Sequence, residues 1–262
     1  MTDRQIASFD GCRVRVRDEG RADGPAVMFS HAIGGGLSMW DDQAGPFGER
    51  FRVIRYDSRG HGGSDSPDGA HTIEMLGQDA LAVMDAFGVK RAHFVGLSQG
   101  GMTGMWLGAH APERIERLVL VNTTAHIPAR DLLNGWITTA ISEGLDSIAP
   151  PVMTGWLCAK FKTAHPDQTR ALVEGFRTMS RLGFAGSAAV LRDSDRREEL
   201  KDIKAPTLVI AGIEDGPMGA AAAQALADGI PGAVRADIPD AAHLAPIENP
   251  GAFNKAVLGF LG

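Results

Sequence analysis

The sequence predicts an α/β fold: a mostly parallel central sheet flanked by helices, with a helical cap inserted after the sixth strand. Three observations carry this. Short apolar runs alternate with amphipathic, helix-length stretches from residue 26 to residue 122, the pattern of a parallel sheet covered on both faces. The alternation then stops, and residues 125–202 read mainly as helix, punctuated by Pro128, Pro150, Pro151 and Pro166. Strand chemistry returns at residues 207–211 and 233–238.

Each element has its own signal. Strands over 5–9 and 12–18 flank the dipeptide Asp10-Gly11, a strong hairpin turn. Residues 26–30 and 51–56 are short buried strands. A helix over 71–87 places Ile73, Leu76, Ala80, Leu81, Met84 and Phe87 on one stripe, and Gly88 ends it. The run His93-Phe94-Val95 makes a strand ending at Gly96, followed by a helix from Ser98 to His110 and a strand over 117–122. After the helical stretch come the strand at 207–211, a helix over 220–228, the strand at 233–238 and a last helix over 251–261. The chain therefore divides into a first part of the core (1–124), a helical cap (125–202) and a second part of the core (203–262).

Composition narrows the function. Of 262 residues, 44 % are hydrophobic and 22 % charged, ordinary for a globular protein with a sizeable core. The formal net charge of −6 gives no electrostatic footprint for nucleic acid, so no such partner is expected. Cys12 and Cys158 are too few and too far apart for a disulfide framework or a metal cluster. No run is long and apolar enough to span a bilayer, and "MTDRQIASFDG" lacks the apolar stretch of a signal peptide. A cytoplasmic protein acting on a small molecule, without metal or organic cofactor, is the expectation.

The chemistry starts at "GLSQGG". Gly-x-Ser-x-Gly between a strand and a helix puts Ser98 on a sharp turn, where the flanking glycines keep the chain from colliding and helix N–H groups face the site. Serine is also a good helix cap, so this motif alone leaves cap and nucleophile nearly tied. A nucleophilic serine needs a base and an orienting acid. His243, in "AAHLAPIENP", lies in a loop beyond a strand, and Glu214 and Asp215, in "TLVIAGIEDGP", directly follow one. Ser98, an acid and His243 in that order, each beyond a strand end, make chance agreement much less credible. Oxyanion donors are expected from the backbone N–H of Gln99 and from the loop His31-Ala32-Ile33-Gly34-Gly35-Gly36, with Ile33 N–H the candidate there and His31 organising the loop.

These residues resemble the α/β-hydrolase superfamily over nearly the whole chain. "FSHAIGGGLSMW", "RYDSRGHGGSD", "GLSQGGMTGMWLG", "LVLVNTT", "PTLVIAGIED" and "AAHLAPIENP" occur in the order expected of it. "LSMWDDQ", "LVLVNTTAHI" and "AAVLRDSDRRE" carry a narrower likeness to the 3-oxoadipate enol-lactonase and carboxylesterase group. The resemblance implies the α/β-hydrolase fold, selects Asp215 over Glu214 as the acid, and maps the oxyanion donors onto Ile33 and Gln99. Two departures matter. Enol-lactonases commonly carry methionine after the nucleophile, where this chain has Gln99. Their lid also carries two arginines that help hold the substrate's carboxylates; aligned on "ISEGL", these fall at Trp136 and near Gly155.

A desolvated carboxylate without a cation is costly, so the substrate implied is a less anionic ester or lactone, although Arg177, Arg181 or Arg192 could compensate. Trp136, Met153 and Trp156, with His31, are the candidate pocket residues. Other functions on the same scaffold are a true 3-oxoadipate enol-lactonase, a cofactor-free haloperoxidase or perhydrolase, and a catalytically silent ligand binder.

Overall fold

The computed structural model describes residues 3–216 and 218–262. Its strands are β1 (Asp3–Ala7), β2 (Arg13–Gly20), β3 (Ala26–Ser30), β4 (Arg52–Tyr56), β5 (Ala92–Leu97), β6 (Ile115–Val121), β7 (Thr207–Gly212) and β8 (Val234–Ile238). They form one sheet in the order β1-β2-β4-β3-β5-β6-β7-β8. Only β2 runs against its neighbours. The central strands β5 and β7 are buried at every residue, which is why their sequences are continuous apolar runs. The edge hairpin β1–β2 turns at Gly11, whose φ is +87°.

Helix α1 (Asp41–Gly48), preceded by a 3-10 turn at Leu37–Trp40, was not legible in the sequence because Gly45, Pro46 and Gly48 interrupt its pattern. α2 (Ile73–Ala86) is capped by Thr72, which accepts from Met75 N, and Gly88 follows its end at φ +66°. α3 (Gln99–His110) follows Ser98 directly. Between β6 and β7 stand α4 (Arg130–Glu143), α5 (Ala149–Gly155), α6 (Ala159–Ala164), α7 (Pro166–Arg177) and α8 (Arg181–Asp193), the helical cap after the sixth strand. α9 (Ala220–Gly229), α10 (Ala245–Glu248) and α11 (Pro250–Leu261) complete the chain. Among the described residues no helix is long and apolar enough to cross a membrane.

The sheet is covered on both faces. Phe29 and Phe94 belong to adjacent register pairs, Phe29 with Val95 and Phe94 with Met28, so they point to opposite faces. Phe29 packs edge-on against Phe47 of α1 and beside Trp40, which meets Phe253 of α11. On the other face α3 lies so close that a Cβ on Gly104 would stand 2.9 Å from Leu118 and 3.1 Å from Phe94.

Of the cap helices, α8 is sutured most tightly to the core. It is buried from Gly183 to Leu191. A Cβ on Gly183 would stand 2.1 Å from the Gly60 carbonyl oxygen, so this backbone approach requires glycine. One turn on, His71 N donates to Gly186 O (3.2 Å) and the Gln99 side chain donates to Ser187 O (3.0 Å).

Candidate active site

β5 delivers Ser98 to the carboxyl edge of the sheet. Its φ and ψ are 55° and −113°, a conformation most residues avoid, and its hydroxyl makes no cap hydrogen bond to α3. The turn is pinned on three sides: Ser98 N donates to Val121 O (2.9 Å), and Thr123 Oγ1 (2.7 Å) and Met102 N (3.1 Å) donate to Ser98 O. The glycines are there for space. A Cβ on Gly96 would stand 2.2 Å from Gly100 O, and one on Gly100 would stand 2.2 Å from Ser30 O. The serine itself is half-buried, while Gln99 behind it is fully buried.

The loops after β7 and β8 bring Asp215 and His243 together. His243 Nδ1 lies 2.8 Å from Asp215 Oδ2, with both side chains nearly buried. Glu214, the other acid the sequence offers, is exposed. Asn122, at the end of β6 with a φ of 43°, donates from Nδ2 to the same Asp215 oxygen (2.8 Å) and accepts from Gly212 N (3.4 Å). His243 Nε2 is buried and has no hydrogen-bond partner among the described residues. That nitrogen is therefore free to serve a reacting group.

The glycine loop is cross-braced to the loop after β4. Ser58 N donates to His31 Nε2 (2.9 Å), Gly34 N to His61 Nε2 (3.1 Å), and Leu37 N to Asp57 Oδ1 (2.7 Å). The two rings sit edge to face with centroids 4.9 Å apart. Each meets a carbonyl through Nδ1, His31 that of Ala32 (2.7 Å) and His61 that of Arg59 (3.1 Å), so both are neutral rings with the proton on Nδ1. Burial pushes both below the ordinary histidine range, His61 to about 3. Gly34 sits at φ +78°, and Gly35 N closes the turn on Ala32 O (3.1 Å). His61 thereby fixes the peptide that follows Ile33.

Aromatic rings line the cap side. The His243 ring packs on Trp156 (4.8 Å), Trp156 on Phe176 (6.0 Å), Phe176 on Phe184 (5.4 Å) and Phe184 on Trp136 (6.2 Å). Phe176 also closes on the glycine loop, 3.0 Å from where a Cβ of Gly34 would be. Met153 is buried and lines a cleft of about 550 Å³ with Gly34, Gly35, Leu172, Met179 and Ile247; neither Ser98 nor His243 lines it.

Of the residues expected to meet substrate, Trp156 packs on His243, Trp136 closes the far end of the row, and Met153 is in the neighbouring cleft. His31 departs from that expectation: it is fully buried under the glycine loop with both ring nitrogens engaged. The three compensating arginines are occupied elsewhere. Arg177 pairs with Glu174 (2.9 Å), Arg192 with Asp193 (2.6 Å), and Arg181 is exposed, its guanidinium at the Ile141 carbonyl (3.5 Å).

Sequence reasoning missed Asn122, Asp57 and the part His61 plays. Asn122 had a signal, as a polar residue closing the apolar run Leu118–Val121, as Ser98 closes its own; Asp57 had none, because β4 before it carries Arg52 and Arg55.

Comparison with known proteins agrees with this architecture. A family model described as alpha/beta hydrolase fold matches residues 25–250. The chain is 36 % identical to 3-oxoadipate enol-lactonase 2 of Acinetobacter baylyi, over 91 % of this chain and 89 % of that protein. Among solved structures, a hydrolase from Pseudomonas aeruginosa superimposes with a TM-score of 0.96 at 40 % identity, covering 100 % of this chain and 98 % of that one. The enol-lactonase from Burkholderia xenovorans gives 0.95 at 36 % identity, covering 98 % and 99 %. With its serine turn, its mostly parallel sheet and its inserted helices, the chain belongs to the alpha/beta-hydrolase family.

Proposed function

We propose that the protein hydrolyses carboxylic esters or lactones of low charge, with Ser98 as nucleophile, His243 as general base and Asp215 as the acid that orients it. The observation that carries this is the 2.8 Å contact between His243 Nδ1 and Asp215 Oδ2, with Nε2 left free and the Ser98 hydroxyl released from capping its helix.

In this reading Ser98 Oγ attacks the acyl carbon as His243 Nε2 takes its proton. Asp215 stays ionised and stabilises the imidazolium. The N–H groups of Gln99 and Ile33 receive the tetrahedral oxyanion, each worth about 3 kcal/mol. Gln99 opens α3, where N–H groups lack intrahelical acceptors and the dipole favours negative charge. His243 then protonates the leaving alkoxide, which in a lactone stays attached as a hydroxyl. Water, deprotonated by His243, attacks the acyl-enzyme, and the acid leaves. The residues from 125 to 202 act as a cap supplying the apolar acyl wall.

Low substrate charge is supported by the aromatic row beside His243 and by the pairing of Arg177 with Glu174 and of Arg192 with Asp193. A second reading, 3-oxoadipate enol-lactone as the substrate, is favoured by the enol-lactonase relative at 36 % identity. Hydrolysis of p-nitrophenyl acetate by the wild type and by Ser98→Ala tests the chemistry. Activity in the first and its loss in the second are expected; equal rates would remove Ser98 from the mechanism. Comparing kcat/KM for a neutral lactone and 3-oxoadipate enol-lactone decides between the substrates.

A further inference from the structure

One carboxylate outside the proposed triad joins the cap to the histidine loop. Glu248, the last residue of α10, accepts from Ala242 N and Leu244 N through Oε1, both at 3.0 Å. Through Oε2 it accepts from Cys158 N, at 2.6 Å, in the cap segment between α5 and α6. The amide between the first two, His243 N, donates to Trp156 O in that same segment (2.9 Å). Three consecutive amides around His243 are thus spent on Glu248 and on the cap, and the Trp156 ring lies against the imidazole.

We propose that Glu248 is a positioning residue that latches the cap segment Trp156–Cys158 to His243, so that the imidazole is correctly placed only while the cap is seated. The proposal rests on the reading of His243 as the general base. A backbone turn needs a carboxylate for none of this if it only has to fold: Ala242 and Leu244 could be served by any acceptor within α10. The charge is explained by reach, because one anion binds donors from both segments at once, beside the His243 N to Trp156 O hydrogen bond that also joins them. Burial raises the Glu248 carboxyl above its ordinary range, while the three amides pull it down. The titratable and charged groups around it are the Cys158 thiol, the Lys160–Asp240 ion pair (2.7 Å) and His165. The latch is therefore held by the carboxylate form and released as pH falls.

Glu248→Gln tests this selectively. The amide oxygen can still accept from Ala242 N and Leu244 N, but its NH2 group then faces Cys158 N, donor against donor. With p-nitrophenyl acetate, kcat is expected to fall roughly tenfold to a hundredfold, because the base is misplaced. The acid limb of the wild-type pH–rate profile should lose the component that Glu248 contributes.

A readout independent of turnover is the far-downfield proton resonance of His243 Nδ1–H, hydrogen-bonded to Asp215. It is expected to broaden in Glu248→Gln and to persist in Glu248→Asp only if the shorter carboxylate still reaches both segments. A folded Glu248→Gln protein with wild-type kcat, pH profile and resonance overturns the latch. If wild-type protein lacks esterase activity but the resonance still broadens, the latch stands and the ester-hydrolase reading falls.

Discussion

Asn122 Nδ2 donates to Asp215 Oδ2 across 2.8 Å. His243 Nδ1 meets the same oxygen, so Asp215 is held from one side by the residue that follows β6 and from the other by His243. Asn122 also sits at a φ of 43°, where glycine is tolerated and most other residues are strained. Asn122→Gly therefore removes the hydrogen bond without forcing the backbone. A hydrogen bond to a charged group is worth about 1.5–3 kcal/mol, so kcat/KM for p-nitrophenyl acetate should fall roughly tenfold to a hundredfold. An unchanged rate in the glycine variant would mean that His243 alone orients Asp215.

The strain at Ser98 gives a prediction of the opposite sign. A serine at φ 55° and ψ −113° stores energy that glycine does not. Ser98→Gly should abolish activity and raise stability by about 1 kcal/mol, roughly 2–4 °C in Tm for a chain of this size. Ser98→Ala loses the hydroxyl but keeps the Cβ, and should show no such gain. Thermal unfolding of the two variants side by side makes the comparison.

The brace under the glycine loop predicts an acid sensitivity. His61 accepts from Gly34 N, and burial, then the neighbouring His31, lowers its pKa to about 3. Unfolded, the ring protonates near its ordinary value of 6.5. Between these values the unfolded chain binds the extra proton, so stability is complete above about pH 6.5 and is lost as pH falls toward 3. At about pH 4.5 this amounts to roughly 2–3 kcal/mol. Acidic side chains held low by arginines, such as Asp195 beside Arg197, slope the same way, so the total slope is not diagnostic. The comparison is with His61→Gln: its urea midpoint should fall less between about pH 7 and pH 4.5 than that of the wild type. Equal slopes would show that His61 does not carry the effect.

Much of this was legible in the sequence, for physical reasons that differ by element. β5 and β7 read correctly because a strand buried on both faces must be apolar throughout. Ser98 and His243 are marked by their order and their place beyond strand ends, whereas only the family resemblance chooses Asp215 over Glu214; the structure brings Asp215 to His243 and leaves Glu214 exposed. α1 was hidden by Gly45, Pro46 and Gly48, whose helix cost is met by tertiary packing of Phe47 on Phe29. His31 is read both as the organiser of the glycine loop and as a pocket residue, because a histidine beside such a loop reads the same whether it points at substrate or beneath the chain. Only the donor Ser58 N, 27 residues away, and the acceptor Ala32 O distinguish the two. Glu248 carries no signal in the sequence, because its partners at 158, 242 and 244 come together only in three dimensions.

The cap's charge pattern yields the last prediction. Trp136 lies on α4 at the far end of the aromatic row from His243, half-buried, with its ring 6.2 Å from Phe184. Arg177 pairs with Glu174, and Arg192 with Asp193 and the Asn134 side-chain oxygen. An anionic acyl group carried along this row would lose water and gain no cation, a penalty of several kcal/mol. Trp136→Arg supplies the missing guanidinium where the row ends, and the neighbouring Phe184 ring offers it a face to rest on. The ratio of kcat/KM for 3-oxoadipate enol-lactone to that for a neutral lactone should then rise roughly tenfold or more, the equivalent of about 1.5 kcal/mol from one charged hydrogen bond. Lost indole packing lowers both rates alike and so cancels in the ratio. A ratio that stays at the wild-type value in a folded Trp136→Arg protein would mean that the acyl end of the substrate never travels along the aromatic row.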